Sequence, residues 1–155
     1  MTADMIKIGI PGAAGRMGGM IIREIARHDD MVLVAATDRP GSDAIGQDSG
    51  LISGVGATDV PVSDDPATLF ARADVVIDFS SPQASVAHAT LAREHGTSLV
   101  IGTTGLTSAD EADLAAAADS AALVYCANTS IGVTLLSRLV EQVASQLGDG
   151  WDIEV

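Results

Sequence analysis

Three glycines with phosphate-binding spacing stand immediately after the first apolar run of the chain. Gly12, Gly15 and Gly18 lie in the segment GAAGRMG, and a helix-like stretch begins at residue 16. Glycines allow a tight turn and a close approach of the backbone to a ligand, and a following helix N-terminus directs N–H groups at an anion. This strand–turn–helix context predicts dinucleotide binding, with an ordinary glycine turn as the alternative.

A carboxylate and a guanidinium follow twenty residues beyond Gly18, at Asp38 and Arg39. An acid at the end of a second strand accepts hydrogen bonds from an adenosine ribose, which favours NAD. A neighbouring arginine pairs with the 2′-phosphate of NADP or stacks on adenine, and Arg16 is placed to reach the same phosphate. We therefore expect NADH or NADPH to bind, with a modest preference for NADH. A solvated charged turn is the alternative.

Small polar residues follow three further apolar runs, in segments 78–82, 102–105 and 126–130. Parallel strands bring their carboxyl ends to one edge of the sheet, where ligands bind. We expect these segments to meet at the nicotinamide. Each one is also consistent with a turn or a helix cap: Asp78 serves equally well in a turn, and Ser130 as a cap.

The histidines and the cysteine indicate no second site. We expect His28 to lie in the last turn of the first helix, and His88 and His95 to have surface or capping roles. Cys126 has no nearby base in the sequence and is interpreted as a buried thiol. One cysteine and unpaired histidines predict no metal site, and no proton donor for catalysis is evident.

Apolar runs alternate with helix-like stretches along the chain, which predicts a Rossmann-like α/β fold with a doubly wound parallel sheet. The predicted strands are 5–10, 31–37, 75–79, 98–101 and 121–125. The predicted helices are 16–28, 66–72, 83–95, 108–118 and 132–147. Segment 39–60 is interpreted as a long glycine-rich loop without a helix, followed by a short third strand near 60–62.

Two helix ends carry recognisable signals. Thr107 or Ser108 is expected to cap helix 108–118, with Glu111 as the carboxylate of a capping box. At the end of helix 83–95, His95 is followed by Gly96, a residue suited to a left-handed stop.

Composition and charge exclude several classes of protein. The chain has 155 residues, 47% of them hydrophobic, and eight basic against twenty-one acidic residues give a net charge of −13. Such a field disfavours nucleic acid and anionic membranes as partners. The apolar runs are too short to span a bilayer, no secretory leader is evident, and a single cysteine suits a reducing compartment. We expect a cytoplasmic protein.

Four segments together resemble one enzyme family. Residues 7–18, 78–82, 100–105 and 127–133 are similar to the 4-hydroxy-tetrahydrodipicolinate reductases, formerly called dihydrodipicolinate reductases. The resemblance implies an NAD(P)H-dependent oxidoreductase that reduces 4-hydroxy-tetrahydrodipicolinate to tetrahydrodipicolinate, in diaminopimelate and lysine biosynthesis. A small dicarboxylate substrate and a homotetramer are implied as well.

The resemblance also assigns residues. Thr104 would meet a substrate carboxylate in addition to the cofactor, while Thr129 departs from a position that is often aromatic in the family. The implied cofactor-binding residues are Gly12, Ala13, Ala14, Gly15, Arg16, Met17, Asp38, Arg39, Phe79, Ser80, Gly102, Thr103, Thr104, Cys126, Ala127, Asn128 and Thr129.

The resemblance places the catalytic acid, a His-His pair followed by a lysine, beyond Val155. We therefore expect residues 1–130 to form the dinucleotide-binding domain. Residues 131–155 would form a connecting helix and, at 152–155, the first strand of a truncated substrate and oligomerisation domain. The second α+β domain and the tetramer-forming region would be absent, and the chain alone inactive. A freestanding NAD(P)-binding or sensing module, or a relative of aspartate and homoserine dehydrogenases, are the alternatives.

Overall fold

The computed structural model describes residues 5–147 and 150–151, so the strand predicted at 152–155 lies outside the described residues. The strands are β1 (Ile6–Pro11), β2 (Met31–Thr37), β3 (Val62–Ser63), β4 (Val75–Asp78), β5 (Ser98–Ile101) and β6 (Leu123–Tyr125). The helices are α1 (Arg16–Ile25), α2 (Ser49–Ser53), α3 (Pro66–Arg72), α4 (Pro82–His95), α5 (Ser108–Ala118) and α6 (Ile131–Leu147).

All six strands join one parallel sheet in the order β3-β2-β1-β4-β5-β6. The predicted doubly wound parallel sheet is confirmed. The order reverses between β1 and β4, where Ile8 pairs with Val75 and Gly9 with Val76. Such a reversal opens a crevice at the carboxyl ends of the strands, because the connections leave the sheet in opposite directions there.

Two apolar clusters hold helices against the two faces of the sheet. One cluster packs Phe70 of α3, Ala92 of α4 and Leu114 of α5 against the sheet. The other packs Ile22 of α1 against Ile10 of β1 and Leu33 of β2. Helix α6 differs, since none of its described side chains is buried. The clusters therefore fix the strand ends and the start of α1, which are the parts that build the site.

Four local predictions need correction. The 39–60 segment contains a short helix, α2, because the Asp48 carboxylate accepts hydrogen bonds from the N–H groups of Gly50 and Leu51. The third strand begins at 62 rather than 60. Helix α1 ends at Ile25, so His28 lies beyond its last turn.

The fourth correction concerns the cap of α5. Thr107 is the N-cap, and Asp110 rather than Glu111 supplies the carboxylate that returns to the Thr107 N–H, at 2.8 Å. A cap at Thr107 places the third helical residue at 110, one position earlier than a cap at Ser108 would. The left-handed stop at Gly96 is confirmed, with φ of 69°.

Candidate functional site

The glycine turn between β1 and α1 is shaped by close backbone approaches. Gly12 has a φ of +66°, which L side chains rarely adopt, and Gly18 packs directly against the Gly12 carbonyl and the Ala13 Cα. The N-cap residue of α1 is Gly15, which has no side chain to accept hydrogen bonds from the first turn. In α2, α3, α4 and α5, by contrast, an Asp, Ser or Thr side chain caps that position. The start of α1 is therefore suited to an external anion.

A cavity of about 650 Å³, called here the large cavity, opens beside this turn at the crevice between β1 and β4. Asp38 lies at its wall, and its two carboxylate oxygens accept hydrogen bonds from the N–H groups of Ala14, at 3.0 Å, and Arg39, at 2.7 Å. The carboxylate thus bridges the end of β2 and the glycine turn. The lining residues include Gly12, Ala14, Gly15, Thr37, Asp38, Arg39, Pro40, Ser42, Asp64, Pro66, Phe79, Ser80, Ser81, Ala84 and His88.

A second cavity, of about 490 Å³, borders the same turn and is called here the arginine cavity. Arg16, Arg23 and Arg39 all line it. Arg23 extends from α1 to α2, where its guanidinium donates a hydrogen bond to the Ser53 carbonyl at 2.9 Å. Three of the eight basic residues in a chain of net charge −13 therefore meet in one place. That concentration of guanidinium groups suits a phosphate.

A third cavity, of about 410 Å³, is called here the threonine cavity and lies at the ends of β4, β5 and β6. The Phe79 ring packs on Gly102 so closely that a side chain at 102 would overlap it. Cys126 lies beside this cavity and is exposed, and its thiol donates to the Asn128 carbonyl at 2.9 Å, so the predicted buried thiol is wrong. The lining residues include Met17, Phe79, Ser80, Gly102, Thr103, Thr104, Ala127, Asn128, Thr129 and Ser130.

A buried polar cluster lies between the large cavity and the threonine cavity. The Asp78 carboxylate is fully buried, and His88 Nδ1 lies 2.8 Å from its Oδ2. Burial alone would raise the pKa of Asp78, but the hydrogen bond and charge of His88, with hydrogen bonds from Ser80, hold that pKa below its usual value. The surface or capping role predicted for His88 is wrong, whereas His95 is exposed in the last turn of α4.

The residues predicted to bind a cofactor fall around these three cavities, with Cys126 at the margin of the threonine cavity rather than in its lining. Sequence reasoning missed Arg23 and His88. The sequence did contain a signal for His88. The buried positions of α4 have the spacing of one helix face, and His88 is one of them: Ser85, His88, Ala89 and Ala92. A histidine in that row needs a buried partner, and Asp78 at the end of a neighbouring strand was available.

Two kinds of feature are absent from the described part of the chain. Residues 5–147 and 150–151 contain no group of three or more His, Cys, Asp or Glu side chains arranged to hold a metal ion. No helix within those residues combines the length and apolar character needed to cross a bilayer.

Comparison with known proteins places these features in a family. A profile described as "Dihydrodipicolinate reductase, N-terminus" matches residues 6–129. A relative from Aromatoleum aromaticum, named 4-hydroxy-tetrahydrodipicolinate reductase, is 45% identical over 97% of this chain and 54% of its own. A relative of the same name from Rhizobium rhizogenes is 47% identical over 100% of this chain and 57% of its own. The chain thus spans about half the length of the curated relatives it matches.

A solved structure shares the fold. It is a dihydrodipicolinate reductase from Paenisporosarcina sp. TG-14, described as dipicolinate-bound, with a TM-score of 0.70 at 24% identity. The match covers 91% of this chain and 54% of that one. The profile match spans the glycine turn, both neighbouring cavities and most of the third, and the family expected from the sequence is confirmed. The chain belongs to the dihydrodipicolinate reductase family, and the part of the family it matches is the N-terminal part.

Proposed function

We propose that this chain is the NAD(P)H-binding part of a 4-hydroxy-tetrahydrodipicolinate reductase. The observation that carries the proposal is the start of α1, where a glycine turn precedes a helix whose N-cap has no side chain, at the point where the strand order reverses. The backbone of residues 12–17 would hold the pyrophosphate there, because helix N-terminal N–H groups favour an anion.

The adenosine half of the cofactor would occupy the large cavity. Asp38 lies where it would accept hydrogen bonds from the ribose, and Arg39 would stack on the adenine or pair with a 2′-phosphate. The arginine cavity adjoins this position, so Arg16 and Arg23 would add charge for NADPH. The site would therefore accept NADH and NADPH. The modest preference for NADH stays a prediction, based on the Asp38 carboxylate at the ribose position.

The nicotinamide would occupy the threonine cavity, between segments 102–104 and 126–129. When bound, the reduced cofactor supplies a hydride. Gly102, Thr103 and the residues around Asn128 would orient the ring, and the exposed Thr104 would meet a carboxylate of the substrate. Phe79 closes the wall behind this position by its contact with Gly102.

The complete reaction would need segments beyond this part. The relatives extend over nearly twice the matched length, and we propose that such segments supply the proton donor, the remaining dicarboxylate site and the contacts of a homotetramer. The division at residue 130 is consistent with α6, where Ile131 is 86% exposed and Leu136 60% exposed. The 155 residues alone would bind cofactor without turnover, and the single cysteine is consistent with a cytoplasmic location.

Calorimetric titration of the purified chain with NADH and NADPH tests the proposal. We expect both to bind, with dissociation constants within about tenfold of each other. Arg39→Ala should weaken NADPH binding more than NADH binding. Arg93→Ala is the matched control, since it removes the same charge from α4 at a position that lines none of the three cavities. If neither cofactor binds at a concentration of about 1 mM, the proposal is overturned.

A further inference from the structure

The Asp78 carboxylate, at the end of β4, is fully buried, and both of its oxygens accept hydrogen bonds. Its Oδ1 accepts a hydrogen bond from the Ser80 N–H at 2.8 Å. Its Oδ2 accepts from the Ser85 hydroxyl at 2.9 Å and lies 2.8 Å from His88 Nδ1. The first contact is a local turn of the β4–α4 connection, but the other two reach the interior face of α4.

The cluster extends one residue further, to the end of β5. Thr103 Oγ1 lies 2.9 Å from Ser85 Oγ, and both side chains are buried. A serine hydroxyl has one proton, and an ionised carboxylate only accepts. Ser85 therefore donates to Asp78, and the Thr103 hydroxyl donates to Ser85. The rotamer and the proton direction of Thr103 are set by a carboxylate that it does not touch.

Every branch of this cluster ends at a wall of the proposed cofactor site. Ser80 lines both the large cavity and the threonine cavity, His88 lines the large cavity, and Thr103 lines the threonine cavity. The backbone adds a second link between the ends of β4 and β5, because the Gly102 N–H donates to the Asp78 carbonyl at 2.9 Å. A turn residue needs only the contact with Ser80, so a turn leaves the contacts with Ser85 and His88 unexplained.

We propose that Asp78 is a positioning residue that fixes the two ends of the dinucleotide site relative to each other. Through Ser80 and His88 it holds the adenosine end, and through Ser85 it holds Thr103 at the nicotinamide end. The inference rests on the proposed cofactor site and adds a requirement that can be tested separately from that site. Loss of the Ser85 branch must weaken contacts with the nicotinamide while it leaves contacts with adenosine in place.

The test compares two ligands, NADH and ADP-ribose, which lacks the nicotinamide. In Ser85→Ala, NADH binding should weaken about fivefold, as expected for one lost hydrogen bond, and ADP-ribose binding should change less than about twofold. Thr103→Val should have the same effect. Because the two hydroxyls act in series, the double variant should lose no more than either single variant. Asp78→Asn should weaken both ligands.

Thr97→Val is the matched control. Thr97 is a buried threonine immediately before β5, and its hydroxyl donates to the Phe70 carbonyl at 2.7 Å, at the opposite end of the strand from Thr103. Its loss should lower the unfolding free energy and leave the ratio of NADH to ADP-ribose affinity unchanged. Far-UV circular dichroism of each variant checks folding, and if Asp78→Asn does not fold, Ser85→Ala and Thr103→Val carry the test.

The outcomes separate the two proposals. If the unaltered chain binds neither ligand, the proposed cofactor site is wrong and the role of Asp78 falls with it. If the unaltered chain binds both, but Ser85→Ala weakens them equally or leaves both unchanged, the cofactor site stands and the positioning role is refuted. A selective loss of NADH affinity that Thr97→Val does not reproduce supports the positioning role.

Discussion

Two adjacent glycines of α1 provide a sharp test of the phosphate turn, because they meet very different surroundings. A Cβ at Gly18 would overlap the Gly12 carbonyl oxygen, the atom nearest to it, and would lie 2.8 Å from the Ala13 Cα. A Cβ at Gly19 would have only ordinary contacts, the nearest being Ser53 Oγ at 3.8 Å. The two substitutions are the same chemical change, one residue apart on the same helix.

The expected cost of Gly18→Ala follows from these distances. Restoring a contact of about 3.4 Å with the Ala13 Cα requires the turn to move by about 0.6 Å, and the Gly12 carbonyl oxygen, which is nearer, must move further. Backbone rather than a flexible side chain is in the way. Overpacking of this kind costs about 1–3 kcal/mol, offset by about 1 kcal/mol from the better helix propensity of alanine. The unfolding free energy should fall by up to about 2 kcal/mol. Gly19→Ala should raise it by about 1 kcal/mol.

NADH affinity should differ more between Gly18→Ala and Gly19→Ala than the unfolding free energy does. A shifted turn loses about one N–H contact with a charged phosphate, worth about 1.5–3 kcal/mol, which is about a 10- to 150-fold rise in the dissociation constant for NADH. Urea unfolding and calorimetric titration of both variants measure the two effects. Equal NADH affinity in Gly18→Ala and Gly19→Ala, with both variants folded, would refute the placement of the pyrophosphate on this turn.

Three further predictions concern the caps and the thiol. The pKa of Asp48 is held below its usual 3.8 by the Leu51 N–H and further hydrogen bonds; its stabilising effect is therefore full above pH 4 and lost as the pH falls through the lowered value. The difference in unfolding free energy between the unaltered chain and Asp48→Asn should shrink below pH 4, and a difference that grows there would contradict this sign. Thr107→Ala should lower the unfolding free energy by about 1 kcal/mol through loss of the α5 cap, whereas Thr90→Ala, at an exposed mid-helix position, should not. Cys126 should react with a thiol reagent without denaturant, and bound NADH should slow the reaction; a thiol that reacts only after unfolding would contradict its exposure.

The backbone of the site was predictable from the sequence, and its buried polar contacts were not. Glycine spacing and the alternation of apolar runs are local patterns, so they placed the turn after β1 and the segments at the ends of β4, β5 and β6. Helix α2 was missed because its five residues are too few to show a repeated helical spacing. The Asp48 carboxylate holds its first turn. The contact of His88 with Asp78 depends on how α4 is rotated against β4, which no local pattern specifies.

The pairing of β1 with β4 has a consequence for the order of folding. The glycine turn follows β1, but β1 is hydrogen-bonded on one side to β4, and Ile8 and its partner Val75 are separated by almost half of the chain. Contacts so distant in sequence form slowly, because a long loop must close before they do. During synthesis the crevice at the strand-order reversal cannot exist until β4 has left the ribosome. A nascent chain of about 60 residues would already contain every glycine of the turn and still lack the wall formed by Phe79, Ser80 and His88.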